Sequence, residues 1–413
     1  MRLSVDEYRQ NLEPLLLTGD AEVDPHRAFA LVAFSFLTEP SDLLPQLLAE
    51  WIAVEQLLDL VILRADSSAV GALLPSEAIE FIEHKLGSNL GLIWANALER
   101  WVPRLNRRDL LASLAWMAAG RSGLDAPHRI ILEGTDAYPL GFEDLRAHRP
   151  GVVWCVGDAS LLAKPGSLSV VGTRQASRYG AGVAADVAAV AAQAGVVTVS
   201  GGAFGIDSIV HESAVKLESP TIALMAGGLG HLYPRSNASL FESIVTNGLV
   251  ASEVAPFVTP AKWRFLMRNR LIAALGNATI VVEAGKTSGA LNTARTAVEL
   301  GREVAIVPGP IDSSRSIGCH DLLNDCLGQV KILSRPQDAL KLLGLGSYEL
   351  AAARGMGALE VRALDAFGVG YVETWEVQRL AGLTSRETQI ALGSLELAGL
   401  IERQGTGYRR TDG

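Results

Sequence analysis

The sequence predicts an α/β protein with a parallel sheet at its centre, helices before it and a winged helix after it. Three observations carry this. From about Arg129, short β-branched runs alternate with Ala-rich stretches of helical length, the pattern of a parallel sheet covered on both faces. Before that point apolar residues recur at helical spacing. After Gly357, short helical patterns precede a hairpin-like pair of strands.

The 413 residues, 49% hydrophobic and 20% charged, suit two or three domains at roughly 150 residues each. That composition excludes a disordered chain. Three cysteines, Cys155, Cys319 and Cys326, form no CxxC pair, which argues against a disulfide scaffold or a CxxC-based zinc site. The start, MRLSVDEYRQNLEPLLL, lacks the basic and apolar regions of a secretory leader, and a reduced, cytoplasmic setting is expected. The longest uncharged run, Val187 to Ile206, holds Gln193, Ser200 and several glycines and reads as helix, turn and strand, so no membrane span is expected.

The N-terminal region, residues 1–125, is read as a helical domain. Ala28, Leu31, Val32 and Phe36 share a helical face, as do Leu43, Leu44, Leu47 and Leu48, then Leu57, Leu58, Val61 and Leu63. Pro40, Pro45 and Gly71 punctuate them. The core, 126–343, holds expected strands at Leu168–Gly172, Val196–Ser200, Thr221–Met225, Ala278–Glu283 and Glu303–Val307. Expected helices are Gly180–Gln193, Ile206–Lys216 and Gly289–Leu300. Residues 344–357 read as a linker. In 358–413, helices are expected over Leu359–Phe367, Thr374–Ala381 and from Thr384 to about Ala398. Thr384-Ser-Arg-Glu387 has capping-box spacing, and Leu400–Arg409 forms a wing about Gly405.

The net charge of −9 gives no global attraction to nucleic acid. Two stretches are nonetheless free of acids. Glu253 to Glu283 encloses Lys262, Arg264, Arg268 and Arg270, and Asp158 to Asp186 encloses Lys164, Arg174 and Arg178. They are read either as ordinary solvated faces or as a local anion site. Small and polar residues follow the expected strands: Gly172-Thr-Arg-Gln-Ala-Ser177, Ser200-Gly-Gly-Ala-Phe-Gly-Ile-Asp207, Ala226-Gly-Gly-Leu-Gly230 and Ala284-Gly-Lys-Thr-Ser-Gly289. Ligands of parallel sheets bind beyond the carboxyl ends of the strands, where glycines allow close approach and helix N-termini offer N–H groups.

Two familiar nucleotide motifs fail. Gly172 is followed by Thr173, Arg174 and Gln175, so GxGxxG is broken. Gly285-Lys-Thr287 resembles the end of a Walker A loop, but position 280 is Ile instead of Gly. Asp207 and His211, at i and i+4, share a helical face; a structural pair is the expected role, with acid–base chemistry the alternative.

Ser169-Val-Val-Gly-Thr-Arg174, Ser200-Gly-Gly-Ala-Phe-Gly-Ile-Asp207, Phe265-Leu-Met-Arg-Asn-Arg270, Ser288-Gly-Ala-Leu-Asn-Thr-Ala294 and Pro308-Gly-Pro with Ser316-Ile-Gly-Cys-His320 occur in that order. Together they resemble the DprA/Smf family of DNA-processing proteins. Asp136-Ala-Tyr-Pro139 with Leu145 resembles the family's entry segment. The resemblance implies a Rossmann-like core behind a SAM-like helical domain. It further implies a homodimer that binds single-stranded DNA without strong sequence preference, protects incoming strands and loads RecA recombinase in natural transformation or recombination. Binding roles carry over to Arg174, to Ser200, Gly201 and Gly202, and to Phe265, Arg268, Asn269 and Arg270. Lys262 lies one helical turn before Phe265. Gly172, Thr173, Lys286 and Ser288 complete the expected set. No catalytic residue, metal or cofactor is expected. The chain departs from the family pattern at Leu266, usually proline, at Phe204, often basic, and at Asn292, often aliphatic.

Elementary chemistry agrees: arginine forks and backbone N–H groups suit phosphate oxygens, and an aromatic beside them stacks on a splayed base. Phe265 reads equally as a core aromatic. Arg268 and Arg270, two residues apart, cannot share a helix stripe, so one is expected to pair with Glu253 or Glu283. Two rival functions stand beside this one. A LOG-type nucleotide phosphoribohydrolase shares the fold, but the glycine loop here lacks that family's catalytic glutamate. A winged-helix duplex-DNA regulator needs a basic recognition helix, whereas Arg386 is offset by Glu387 and Glu396.

Overall fold

The computed structural model describes residues 5–17, 23–345, 357–367 and 371–411. It divides into two compact units, Met1–Leu345 and Gly346–Gly413. Most of the expected linker, 346–356, lies outside the described residues.

In the first unit, helices including Pro25–Leu37, Val54–Ile62, Leu90–Trp101 and Arg107–Ala118 bury their apolar faces together. Asp24 caps the first of these, accepting from the N–H groups of His26 and Arg27. Trp101 meets Phe34 and Trp94 edge to face, with centroids 5.8 and 6.0 Å apart. These helices do not close on themselves. Phe36 packs on Trp154 of the sheet, and Ile130, Leu132, Val152 and Val156 belong to the same apolar cluster.

The sheet has nine strands: β1 (His128–Leu132), β2 (Val152–Gly157), β3 (Leu168–Val171), β4 (Thr198–Ser200), β5 (Thr221–Met225), β6 (Leu249–Ser252), β7 (Ala278–Val281), β8 (Glu303–Ile306) and β9 (Val330–Ile332). Their order is β1-β2-β6-β5-β4-β3-β7-β8-β9. From β6 to β9 neighbouring strands run parallel, as expected of this Rossmann-like α/β core. β2 is antiparallel to both β1 and β6, so the sheet is mixed at that edge, which corrects the wholly parallel reading. The reason is local. No helix of crossover length separates β1 from β2, and a short connection joins strands in opposite directions. Strands β1, β2, β6 and β9 were not foreseen. Gly172 and Glu283, expected inside strands, instead lie in the loops after β3 and β7. Their polar backbone is thereby delivered to the carboxyl rim of the sheet.

The second unit has helices Ala358–Asp365, Thr374–Ala381 and Ser385–Leu397 around its own core of Leu364, Phe367, Val377, Leu392, Leu395 and Ile401. Strands β10 (Tyr371–Glu373), β11 (Ile401–Gln404) and β12 (Gly407–Arg410) form an antiparallel sheet, ordered β10-β12-β11. The Thr384–Glu387 capping box is present, and Gly405 lies in the turn between β11 and β12 with φ +64°. No helix among the described residues is long and apolar enough to cross a membrane.

Candidate nucleic-acid interface

At the carboxyl ends of β3, β4 and β7 a cleft of about 660 Å³ opens, walled on one side by the helix Lys262–Leu275. Of the expected residues it brings together Gly172, Thr173, Arg174, Lys262, Phe265, Arg268, Asn269 and Ser288. Lys286 is exposed on the same loop as Ser288 but outside the cleft lining.

The glycines serve packing first. A Cβ on Gly172 would lie 2.6 Å from Ile206 Cγ1, and one on Gly201 would lie 2.5 Å from the Arg268 guanidinium. Gly202, at φ +64°, abuts Phe241, and Ser200 is buried with its hydroxyl donating to Val170 O at 2.7 Å. The loop from Ser200 to Gly202 thus does not reach the surface of the cleft by side chain; it is the floor beneath it. Gly285 and Gly289 are different. A Cβ on Gly289 would meet Asn269 Nδ2 at 3.6 Å, an ordinary contact, whereas one on Gly285 would press on Ser314 O at 3.3 Å, so neither is as crowded as Gly172 or Gly201 but Gly289 is the more open.

Arg268 explains why the floor holds its shape. The side chain is buried, and Nη1 donates to Gly201 O at 2.9 Å and to Leu224 O. Asp207 accepts from the N–H groups of Gly201 and Ala203 at 3.2 and 3.4 Å. Burial raises the Asp207 pKa against the pull of nearby Arg268, and burial lowers that of Arg268 to about 10 against the pull of Asp207. Arg268 therefore grips the loop from within and does not present its guanidinium as a surface cation.

Arg270 is not brought to the cleft. It forms a buried fork with Glu253, at 2.8 and 2.6 Å, and donates to His148 O. This is the pairing the i, i+2 spacing required of one of the two arginines. Arg264 is likewise occupied, with both Nε and Nη2 donating to Glu39. Asn269 donates to Gly289 O at 3.1 Å and ties the long helix to the loop after β7.

The cations left are Arg174, Lys262 and Lys286, all exposed and none paired with a carboxylate among the described residues. Phe265 is half-buried. The Arg174 guanidinium lies 5.1 Å from its ring centroid, and Tyr233 meets it edge-on at 5.6 Å. Tyr233 lines the cleft, and sequence reasoning missed it: its loop carries no periodicity and no charge pattern to mark it. Asp207 and His211 do not form an acid–base couple. His211 is buried and bonds Thr221 Oγ1 at 2.8 Å, and burial drives its pKa down to about 3. Among the described residues no cluster of His, Cys, Asp and Glu could hold a metal.

A family model described as DNA recombination-mediator protein A matches residues 129–344. A Mycobacterium tuberculosis protein bearing the name DNA processing protein DprA is 41% identical over 280 residues, 65% of this chain and 69% of that protein. The DNA processing protein DprA of Streptococcus pneumoniae is 37% identical over 205 residues, 50% of this chain and 71% of that protein. The X-ray structure of DprA from Streptococcus pneumoniae superposes with a TM-score of 0.57 at 26% identity, covering 78% of this chain and 98% of that one.

Proposed function

The chain belongs to the DNA recombination-mediator protein A family, and from that premise we propose that its cleft binds single-stranded DNA through phosphates and unstacked bases. The observation that carries the reading is the sorting of cations. Arg264 and Arg270 are held by carboxylates, while Arg174, Lys262 and Lys286 stand exposed and unpaired beside the cleft. In a chain of net charge −9, unpaired cations gathered at one rim make a local anion site.

Each residue has a task in this reading. Arg174 and Lys262 take phosphate oxygens, and the open backbone at Gly289 lets the sugar-phosphate chain come close. Phe265 and Tyr233 form an aromatic corner for a base. Arg174 covers Phe265 in the free protein and leaves it for a phosphate as a base enters. A duplex keeps its bases stacked inside and cannot use that corner, so the preference is for single strands. Arg268, Asp207 and Asn269 position the loops without touching DNA.

Protection of the bound strand, loading of RecA recombinase, a role in natural transformation, homodimer formation and a cytoplasmic location are parts of the same proposal and are supported by family membership. The hydrolase reading draws little from this cleft. Asp207 is the carboxylate among the lining residues, and it is committed to loop N–H groups. The duplex-regulator reading rests on a recognition helix of balanced charge. Fluorescence anisotropy of labelled oligo-dT and of a duplex of equal length, across a salt series, tests the proposal. Tighter binding of the single strand supports it, and equal or tighter binding of the duplex refutes it.

A further inference from the structure

We infer that Arg315 is an additional phosphate contact, which carries the bound strand across the ends of β7 and β8, beyond the cleft; this rests on the single-strand reading above. Strands β3, β7 and β8 are adjacent, and their last residues are level, with Val171 paired to Val281 and Val281 to Ile306. Arg174, Lys286 and Arg315 sit on the loops that follow these three strands in that order. At about 4.8 Å between strands, β3 and β8 lie roughly 10 Å apart, about three stacked nucleotides at 3.4 Å each.

The loops also touch. Arg315 Nε donates to Gln175 O at 2.9 Å, next to Arg174. A Cβ on Gly285 would meet Ser314 O at 3.3 Å, so the backbone before Arg315 lies against the loop of Lys286. Tyr179 donates to Pro308 O at 2.8 Å and pins the start of the same segment. Arg315 is exposed, and its two Nη groups have no partner among the described residues. Two carboxylates lie nearby. Glu283 is buried and accepts from Ser177, and Asp312 is exposed on the same loop without an ion pair to Arg315 among the described residues. The guanidinium is thus fixed at Nε and open at both Nη groups, the arrangement that suits a phosphate fork. Sequence windows did not reveal it, because Arg315 lies outside both acid-free stretches.

The test uses the full chain, Arg315→Gln, Arg315→Lys and oligo-dT of about 2 and about 16 nucleotides, the first too short to cover the roughly 10 Å from β3 to β8 and the second within the usual range of single-strand site sizes. On the long oligonucleotide, Arg315→Gln is expected to make the log–log salt slope shallower by about 0.7, and Arg315→Lys to retain the parent slope. On the short one, held at the Arg174 end, Arg315→Gln should match the parent. Two outcomes overturn the inference alone, given a parent that binds. One is an unchanged slope in Arg315→Gln on the long strand. The other is an equal loss on both lengths, the mark of an arginine that merely positions Gln175 and Arg174. A parent that binds neither oligonucleotide overturns the single-strand reading itself.

Discussion

Arg174 and Arg268 lie in two of the family motifs and both contact Phe265, yet the structure predicts opposite behaviour when each is replaced by alanine. Arg174 is exposed and makes no hydrogen bond from its side chain among the described residues; Arg268 is buried and donates to Gly201 O and Leu224 O beside Asp207. Arg174→Ala should leave folding stability within about 0.5 kcal/mol of the parent, as exposed substitutions do. It should cost about 1.5–3 kcal/mol of single-strand affinity and make the salt slope shallower by about 0.7. Arg268→Ala removes the cation that supports a buried carboxylate and takes a donor from two buried carbonyls. Breaking such an arrangement costs about 3–5 kcal/mol. A domain with stability in the upper part of the usual range of about 5–15 kcal/mol still folds after that loss, and the urea midpoint shows whether this one does. Its floor loop relaxes, so affinity falls, but the slope stays that of the parent because no phosphate contact is lost. Urea denaturation and a salt series of oligo-dT anisotropy on both variants give the four numbers needed. If Arg268→Ala flattens the slope as much as Arg174→Ala does, the Arg268 guanidinium reaches phosphate and the positioning argument is wrong.

Phe265→Ala should lower affinity by about 1–3 kcal/mol for the lost stacked base and leave the salt slope unchanged, which the same anisotropy series reads. Gly201→Ala forces a methyl to within 2.5 Å of the Arg268 guanidinium and should cost about 1–3 kcal/mol in urea denaturation, whereas Gly182→Ala, with nothing within 4 Å, should not destabilise. His211 has its pKa lowered from 6.5 to about 3 in the folded protein. The unfolded chain therefore binds the proton first as pH falls, and stability present above pH 6.5 is lost progressively toward pH 3. His211→Gln, measured by urea denaturation across that range, should show a flatter profile than the parent.

The parallel strands of the core were legible because each is an apolar run bounded by glycine or polar loops, and β3 and β7 are followed by Ala-rich helices. β3, β5, β7 and β8 fall where that pattern puts them. Strands β6 and β9 run into Glu253-Val-Ala-Pro256 and Leu333-Ser-Arg-Pro336, with no glycine loop to mark their ends, and β1 and β2 have no helix between them to mark a crossover. The helix Ser385–Leu397 showed itself through Thr384 and Glu387, whose capping box is a local signal that needs no tertiary context. The helical start was legible as helices. That it shares its apolar cluster with β1 and β2 was not, since periodicity gives the buried face of a helix but not the surface it meets.

For the site, the sequence pointed to loops that line the cleft but could not sort their residues. Charge windows measure separation along the chain, and a carboxylate that neutralises an arginine need not be near it in sequence. Arg264 is paired with Glu39, 225 positions away, inside a stretch that holds no acid of its own. Arg268 and Arg270 have the same residue type and nearly the same motif position, but the helix turns about 100° per residue and sends one under Gly201 and the other to Glu253. The glycines mislead for a related reason. A missing side chain marks a close approach without saying whether ligand or protein makes it, and at Gly172 and Gly201 the protein does. A cation is available to DNA only where packing leaves it both exposed and unpaired. On the proposed single-strand reading, Arg174, Lys262 and Lys286 meet that condition among the expected binding residues, and Arg315 meets it on the loop after β8.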